Sequence, residues 1–185
     1  MTNMYIMNSI ILPYKGPRTE GELVYPKIAD SAFIAPGAAV IGDVEIGEEV
    51  GIWFNVTIRG DVEWIKIGDR TNIQDNSCIH VTRNGHPTSI GSGVTVGHSV
   101  TLHACTLEDD CFVGMKALVM DDAVIETGAM LAAGAVLTPG KRIPSGQLWA
   151  GSPAKYFRDL KQEELDFIPI SAANYVKHVH EYLNP

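Results

Sequence analysis

His80, His98 and His103 fall close together in the chain, and Arg59, Asp61, Gln74 and Asp75 lie a short way upstream. A neutral imidazole is a good ligand for a divalent metal, and three of them plus a water fill the four positions of a catalytic zinc site. Fe²⁺ and Co²⁺ accept similar ligand sets. Whether the three can meet is a question of reach. Five extended residues span up to about 17 Å. An imidazole brings a metal within about 6–7 Å of its own Cα, so His98 and His103 converge only where the chain bends between them. A symmetric oligomer in which one histidine faces the neighbour's pair removes the difficulty and puts the metal between subunits. The plainer alternative makes them hydrogen-bonding surface histidines, with Arg59, Asp61 and Asp75 as an ion-pair network tying coils or subunits together.

The scaffold that must position these side chains is written in the aliphatic residues. From Ile28 they recur every six positions, at Ile34, Val40, Ile46, Ile52 and Ile58. They resume at Ile67, Ile73 and Ile79, and again at Ile90, Val96 and Leu102. After one shorter step they continue through Leu107, Val113, Val119, Ile125, Leu131, Leu137 and Ile143 to Trp149. A short period sustained this long marks a hexapeptide β-helix, with room for about seven coils of roughly 18 residues. Strands pair from coil to coil at about 4.8 Å. The long gap between Ile79 and Ile90 reads as a distorted double step, which sets His80 and His98 near one face on adjacent coils.

The residue after each aliphatic position is small at Ala35, Gly47, Gly68, Gly91, Gly97 and Gly114, where the chain bends. Arg59, Gln74, His80 and His103 break that rule, and such breaks are where function is expected. The three cysteines, Cys78, Cys105 and Cys111, form no CxxC, and Cys111 shares the phase of Ala117, Ala123, Ala129 and Ala135. It reads as a small buried hydrophobe in a reducing, cytoplasmic setting. A net charge of −8 with no Lys/Arg run excludes nucleic acid and anionic membranes as expected partners. No apolar stretch reaches membrane-spanning length, and the N-terminus lacks a signal-peptide pattern.

The expected organisation is one domain: a cap segment over 1–27, the solenoid over 28–151, and a helical segment over 152–185 packed on its outside. Ser171 opens a helical pattern through Ala172, Val176, Val179 and Leu183, with Pro169 just before its start, and a shorter helix covers 161–167. His86, His178 and His180 carry no supporting pattern.

The run Ile58-Arg59-Gly60-Asp61, then Ile67-Gly68-Asp69-Arg70-Thr71-Asn72-Ile73-Gln74-Asp75-Asn76 and Ile79-His80, resembles the signature of gamma-class carbonic anhydrases. Val96-Gly97-His98, Leu102-His103-Ala104-Cys105-Thr106, Val113-Gly114-Met115 and Gly151-Ser152-Pro153-Ala154-Lys155 extend the resemblance, which runs from Ile11 to Leu183. It implies an all-β solenoid, a left-handed parallel β-helix with a C-terminal helix, assembled as a homotrimer. It implies Zn²⁺ between subunits, held by His80 and His103 of one chain and His98 of the next, and reversible hydration of CO₂ to bicarbonate. By the same resemblance Gln74 positions the attacking oxygen, Asn72 contributes to the substrate pocket, and the C-terminal helix brings Tyr175 near the metal. Arg59, Asp61 and Asp75 then form the trimer-stabilising ion network.

The chain departs from the family pattern in its proton-transfer groups. An acidic loop is expected after the first histidine and a glutamate after Asp61; here stand Val81-Thr82-Arg83-Asn84-Gly85-His86 and Val62. His86, whose unperturbed pKa suits shuttling near neutrality, is the remaining candidate. Weak activity follows from that departure. Three other readings stand beside the enzyme: a non-catalytic trimeric metal-binding assembly protein, a hexapeptide acyltransferase, and a metal-dependent thioester hydrolase. The acyltransferases commonly use a lone catalytic histidine and a long loop excursion that this chain lacks.

Overall fold

The aliphatic period becomes three walls of short parallel strands. The computed structural model describes residues 9–184 and forms a left-handed parallel β-helix of about seven turns with one C-terminal helix. One wall climbs through Phe33–Ile34, Gly51–Ile52, Asn72–Ile73, Thr95–Val96, Phe112–Val113 and Met130–Leu131 to Gln147–Ala150. A second contains Cys78–His80, Thr101–His103, Leu118–Val119 and Val136–Leu137, and the third Thr88–Ile90, Thr106–Leu107, Val124–Ile125 and Arg142–Ile143. The long strands Ala39–Ile46 and Thr57–Ile67 turn a corner and belong to the second and third walls at once.

Each aliphatic residue points inward and stacks on its counterpart. On the second wall Ile58, Ile79, Leu102, Val119 and Leu137 are in register from coil to coil and fully buried. Burial of one such side chain is worth about 1.5–3 kcal/mol, so the column is a main source of stability. Cys105, Cys111, Ala117, Ala123, Ala129 and Ala135 are buried as well, and none of the cysteines forms a disulfide.

The gap between Ile79 and Ile90 is a single step, not a double one. Ile90 pairs with Ile67 below and Leu107 above, so residues 81–87 are a loop inserted at a corner. A corner insertion leaves the strand register untouched, and the count of residues along the chain then overstates the number of steps. Val96 accordingly pairs with Ile73 and Val113, one wall away from Ile79. His80 and His98 are therefore not neighbours on one face.

The helix also differs from expectation. One helix runs from Gln162 to Leu183 with Pro169 inside it. Proline lacks the N–H that would reach the carbonyl four residues back. The helix continues because Ile168, Ser171, Ala172, Val176 and Val179, on both sides of Pro169, are buried against the solenoid. Its start is capped by Glu164, whose Oε2 accepts from the Lys161 N–H at 2.9 Å, with Glu163 adding charge that suits a helix N-terminus. Ahead of it, Lys155–Asp159 forms an antiparallel strand on Gln147–Ala150 and covers the last edge of the first wall. The helix end docks through Tyr175 and Tyr182 against Phe33, Trp53 and Phe54. At the other end Ile10–Leu12 pairs in parallel with Ala39–Ile41. The first eight positions of the expected cap segment lie outside the described residues.

Candidate metal centre

Arg59, His80 and His103 break the small-residue rule for one shared reason. All three sit in strands that run a residue past the inward aliphatic position, so their side chains leave extended backbone instead of a bend. His80 and His103 are direct register partners. Their ring centroids lie 5.3 Å apart, and Nδ1 of His80 is 3.3 Å from Nε2 of His103.

The other nitrogen of each ring meets a carboxylate. His80 Nε2 is 3.0 Å from Asp61 Oδ1, and His103 Nδ1 is 2.7 Å from Asp121 Oδ1. Arg59 donates to Asp61, and the Thr82 hydroxyl donates to Asp121. A carboxylate accepts, so each histidine carries its proton on the nitrogen facing the aspartate; this tautomer is assigned from the partners. The two remaining lone pairs then point at each other, which is repulsive unless a cation or an added proton lies between them. Two nitrogens bound at about 2.1 Å to a tetrahedral Zn²⁺ are separated by about 3.4 Å, close to the spacing found. The donor set fits a divalent metal.

Charge supports the same state. Burial lowers the His80 pKa, and although hydrogen bonding to Asp61 opposes this, the Arg59 and His103 charges lower it further, so the ring is held neutral. Burial pushes the Asp61 carboxyl up, but hydrogen bonds from His80 and Arg59 outweigh it and leave the pKa below the ordinary value. At Asp121 burial again raises, and the bonds from Thr82 and His103 win.

His98 sits beyond the end of Thr95–Val96, at a different corner. Its Nδ1 is 2.8 Å from Asp75 Oδ2, so it repeats the pattern of one nitrogen on an aspartate and one free. Among the described residues no three His, Cys, Asp or Glu side chains of this chain converge as a metal cluster. The expected network of Arg59, Asp61 and Asp75 likewise splits within the chain: Arg59 pairs with Asp61, and Asp75 with His98.

Gln74 and His98 border a cleft of about 360 Å³. Its floor is the small-residue column Gly97, Gly114 and Ala132, and its walls include Phe112, Met115 and Met130. The floor has no room for growth: a Cβ on Gly114 would lie 2.4 Å from the Ala133 nitrogen of the next coil. Gln74 donates from Nε2 to Asn72 Oδ1 at 3.1 Å. Tyr175 packs edge-on against Trp53 at 5.6 Å. Burial raises its phenol pKa and the Asp75 charge adds to that. His86 is exposed, 3.7 Å from Asp122. Asp121 and Thr82 were not visible as site residues in the sequence. The one signal was Met120, which breaks the small-residue rule one coil above His103.

Residues 25–60 match the family model described as bacterial transferase hexapeptide (six repeats). The chain is 49% identical over 155 residues to "Gamma carbonic anhydrase 1, mitochondrial" of Arabidopsis thaliana, covering 81% of this chain but only 56% of that protein. It is 43% identical over 156 residues to "Carbonic anhydrase" of Geobacillus kaustophilus, covering 84% of this chain and 81% of the relative. The chain belongs to the gamma carbonic anhydrase family. A solved structure similar to this gamma carbonic anhydrase family member is that of a hexapeptide transferase family protein from Anaplasma phagocytophilum. That match has a TM-score of 0.86 and 47% identity, over 94% of this chain and 98% of the other. No described helix is long and apolar enough to cross a membrane.

Proposed function

We propose that this chain hydrates CO₂ reversibly to bicarbonate at a divalent metal, Zn²⁺ or in its place Fe²⁺ or Co²⁺, as a homotrimer. His80 and His103 of one chain and His98 of the next are the ligands, and Arg59, Asp61 and Asp75 tie the chains together. The observation that carries this reading is the pair of opposed imidazole nitrogens, 3.3 Å apart, with carboxylates behind both rings. His98 supports a shared site because it carries the same backing one corner away, with Nε2 free. The relatives named carbonic anhydrase support the reaction class. Three free cysteines, two of them buried, fit a reducing cytoplasmic compartment.

A divalent cation held by neutral imidazoles supplies the Lewis acidity that makes water nucleophilic near neutral pH. The chain's own groups do the rest. Asp61 and Asp121 fix the tautomers of His80 and His103 and aim the rings. Asn72 engages the Gln74 Nε2, so Gln74 offers its Oε1 as an acceptor to the attacking oxygen. The apolar walls around Phe112, Met115 and Met130 accept an uncharged, non-polar gas and disfavour the anionic product. With Val62 and a loop free of carboxylates at 81–86, His86 is the group available to pass protons to buffer.

Anaerobic purification, elemental analysis and stopped-flow CO₂ hydration on one sample test this reading. Stoichiometric metal and a hydration rate that rises with concentrated imidazole buffer are expected. Stoichiometric metal without hydration in any buffer would sink it in favour of a non-catalytic metal-binding assembly protein, the reading favoured by the missing carboxylate at Val62. Turnover of an acyl-CoA instead of CO₂ would point to acyl transfer or thioester hydrolysis.

A further inference from the structure

A chain of four buried polar side chains runs from the cleft to the C-terminal helix. Gln74 Nε2 lies 3.1 Å from Asn72 Oδ1, Asn72 Nδ2 lies 3.1 Å from Thr95 Oγ1, and Thr95 Oγ1 lies 3.0 Å from Ser171 Oγ. All four are at most 7% exposed. Its direction is set at one point. Asn72 Nδ2 also approaches the Val94 carbonyl at 3.4 Å, and a carbonyl only accepts. The nitrogen end of Asn72 therefore faces Thr95 and the oxygen end faces Gln74. Gln74 must answer that oxygen with its NH₂, which turns its carbonyl toward the cleft it shares with His98. The Thr95 hydroxyl, having accepted from Asn72, has its own O–H to share with Ser171, and either of the two hydroxyls can be the donor.

We infer that Thr95 and Ser171 are positioning residues that help hold Gln74 carbonyl-first at the cleft, so that the C-terminal helix steadies a polarity set at the Val94 carbonyl. Without the hydroxyl of Thr95 the Asn72 amide keeps only its longer 3.4 Å approach to the Val94 carbonyl, so its orientation is held less tightly. A half-turn of the loosened Asn72 would let Gln74 follow and present NH₂ where the carbonyl stood. A donor there cannot accept from the attacking oxygen. Ser171 is carried by the helix turn after Phe167, which packs on Phe112 at the cleft wall, so the same segment shapes both the wall and the relay.

The kinetic consequence rests on the proposed reaction, whereas the orientation itself does not, and the test separates them. The full-length protein is compared with Thr95→Val, Thr95→Ser and Ser171→Ala in the metal-free state. The readout is the side-chain amide NMR signals of Gln74 and Asn72 and their exchange with solvent. Thr95→Val is expected to shift both amide pairs and speed their exchange, Ser171→Ala to do so less, and Thr95→Ser to restore the original signals. In metal-loaded protein Thr95→Val is expected to lower kcat about three- to tenfold with KM held, the scale of one lost neutral hydrogen bond. Unchanged Gln74 and Asn72 signals in folded Thr95→Val overturn the inference. Should Thr95→Val fail to fold, unchanged signals in Ser171→Ala overturn it equally, since alanine favours the helix. If the wild type shows no hydration, the proposed reaction fails and the amide signals alone decide the relay.

Discussion

Asp121 Oδ1 sits 2.7 Å from His103 Nδ1 and accepts its proton, while the Thr82 hydroxyl donates to the same carboxylate. The three residues come from two coils and the inserted loop, and together they fix which nitrogen of His103 is free. A carboxylate behind a ligating histidine sets its tautomer and raises its basicity. Replacing Asp121 with alanine is expected to weaken metal binding about 10- to 100-fold, measured by chelator competition. Asp121→Asn keeps an acceptor and should fall between wild type and alanine. Equal affinities in all three proteins would remove the aspartate from the site.

His98 is at one corner and the His80–His103 pair at another, so in the proposed trimer each chain supplies parts of two different sites. Neither His98→Ala nor His103→Ala alone should retain stoichiometric metal. Mixed and reassembled, the two variants should regain metal and hydration, because an intact pair from one meets an intact His98 from the other. No recovery in verified hybrids would argue against a shared site.

Leu102 fills the column directly behind His103, between Ile79 and Val119, and has no exposed surface. Leu102→Ala is expected to cost about 2–5 kcal/mol of unfolding free energy, read from urea titration. The close-packed coil cannot relax into the space without breaking register.

Arg158 makes two contacts to Glu164, at 2.6 and 2.8 Å, and the Lys161 N–H adds a third. The Arg158 bond, then the backbone bond, lower the Glu164 pKa to about 2. A carboxyl whose folded pKa is depressed contributes stability above its unfolded value, and that contribution is lost as pH falls toward the folded one. Between about pH 4.5 and 2 the wild type should therefore lose stability that Glu164→Gln lacks throughout. Parallel acid-unfolding curves for the two proteins would contradict this.

Burial pushes the Cys105 thiol up to about 12 and the Cys111 thiol higher still, whereas Cys78 is exposed. Thiolate is the reactive form. Mass spectrometry after brief alkylation at neutral pH should find one modified cysteine, Cys78, in native protein and three in denaturant.

Much of this was legible beforehand because the solenoid is nearly one-dimensional. Each aliphatic residue from Ile28 to Trp149 answers to its own coil and the coils beside it, so a local period predicts a global shape. The exceptions were legible for the same reason, and Arg59, Gln74, His80 and His103 stood out as large polar residues where small ones recur, a phase that Trp53, Glu108, Met120 and Glu126 also break. The inserted loop misled the count between Ile79 and Ile90, since spacing records residues and not strands. Pro169 misled the helix boundary, because local propensity yields to burial on both sides of it.

The sequence by itself determined the coil, its inward column, and the three histidines as the residues to watch. Only the tertiary structure decided which of them meet. His80 faces His103 because the loop at 81–87 leaves the prism and returns in register, and Asp61 and Asp121 choose the nitrogens because coil stacking brings them behind the rings. Such contacts join residues 18 to 23 positions apart through one full turn of the solenoid, a distance over which side-chain direction is set by stacking and not by the local pattern.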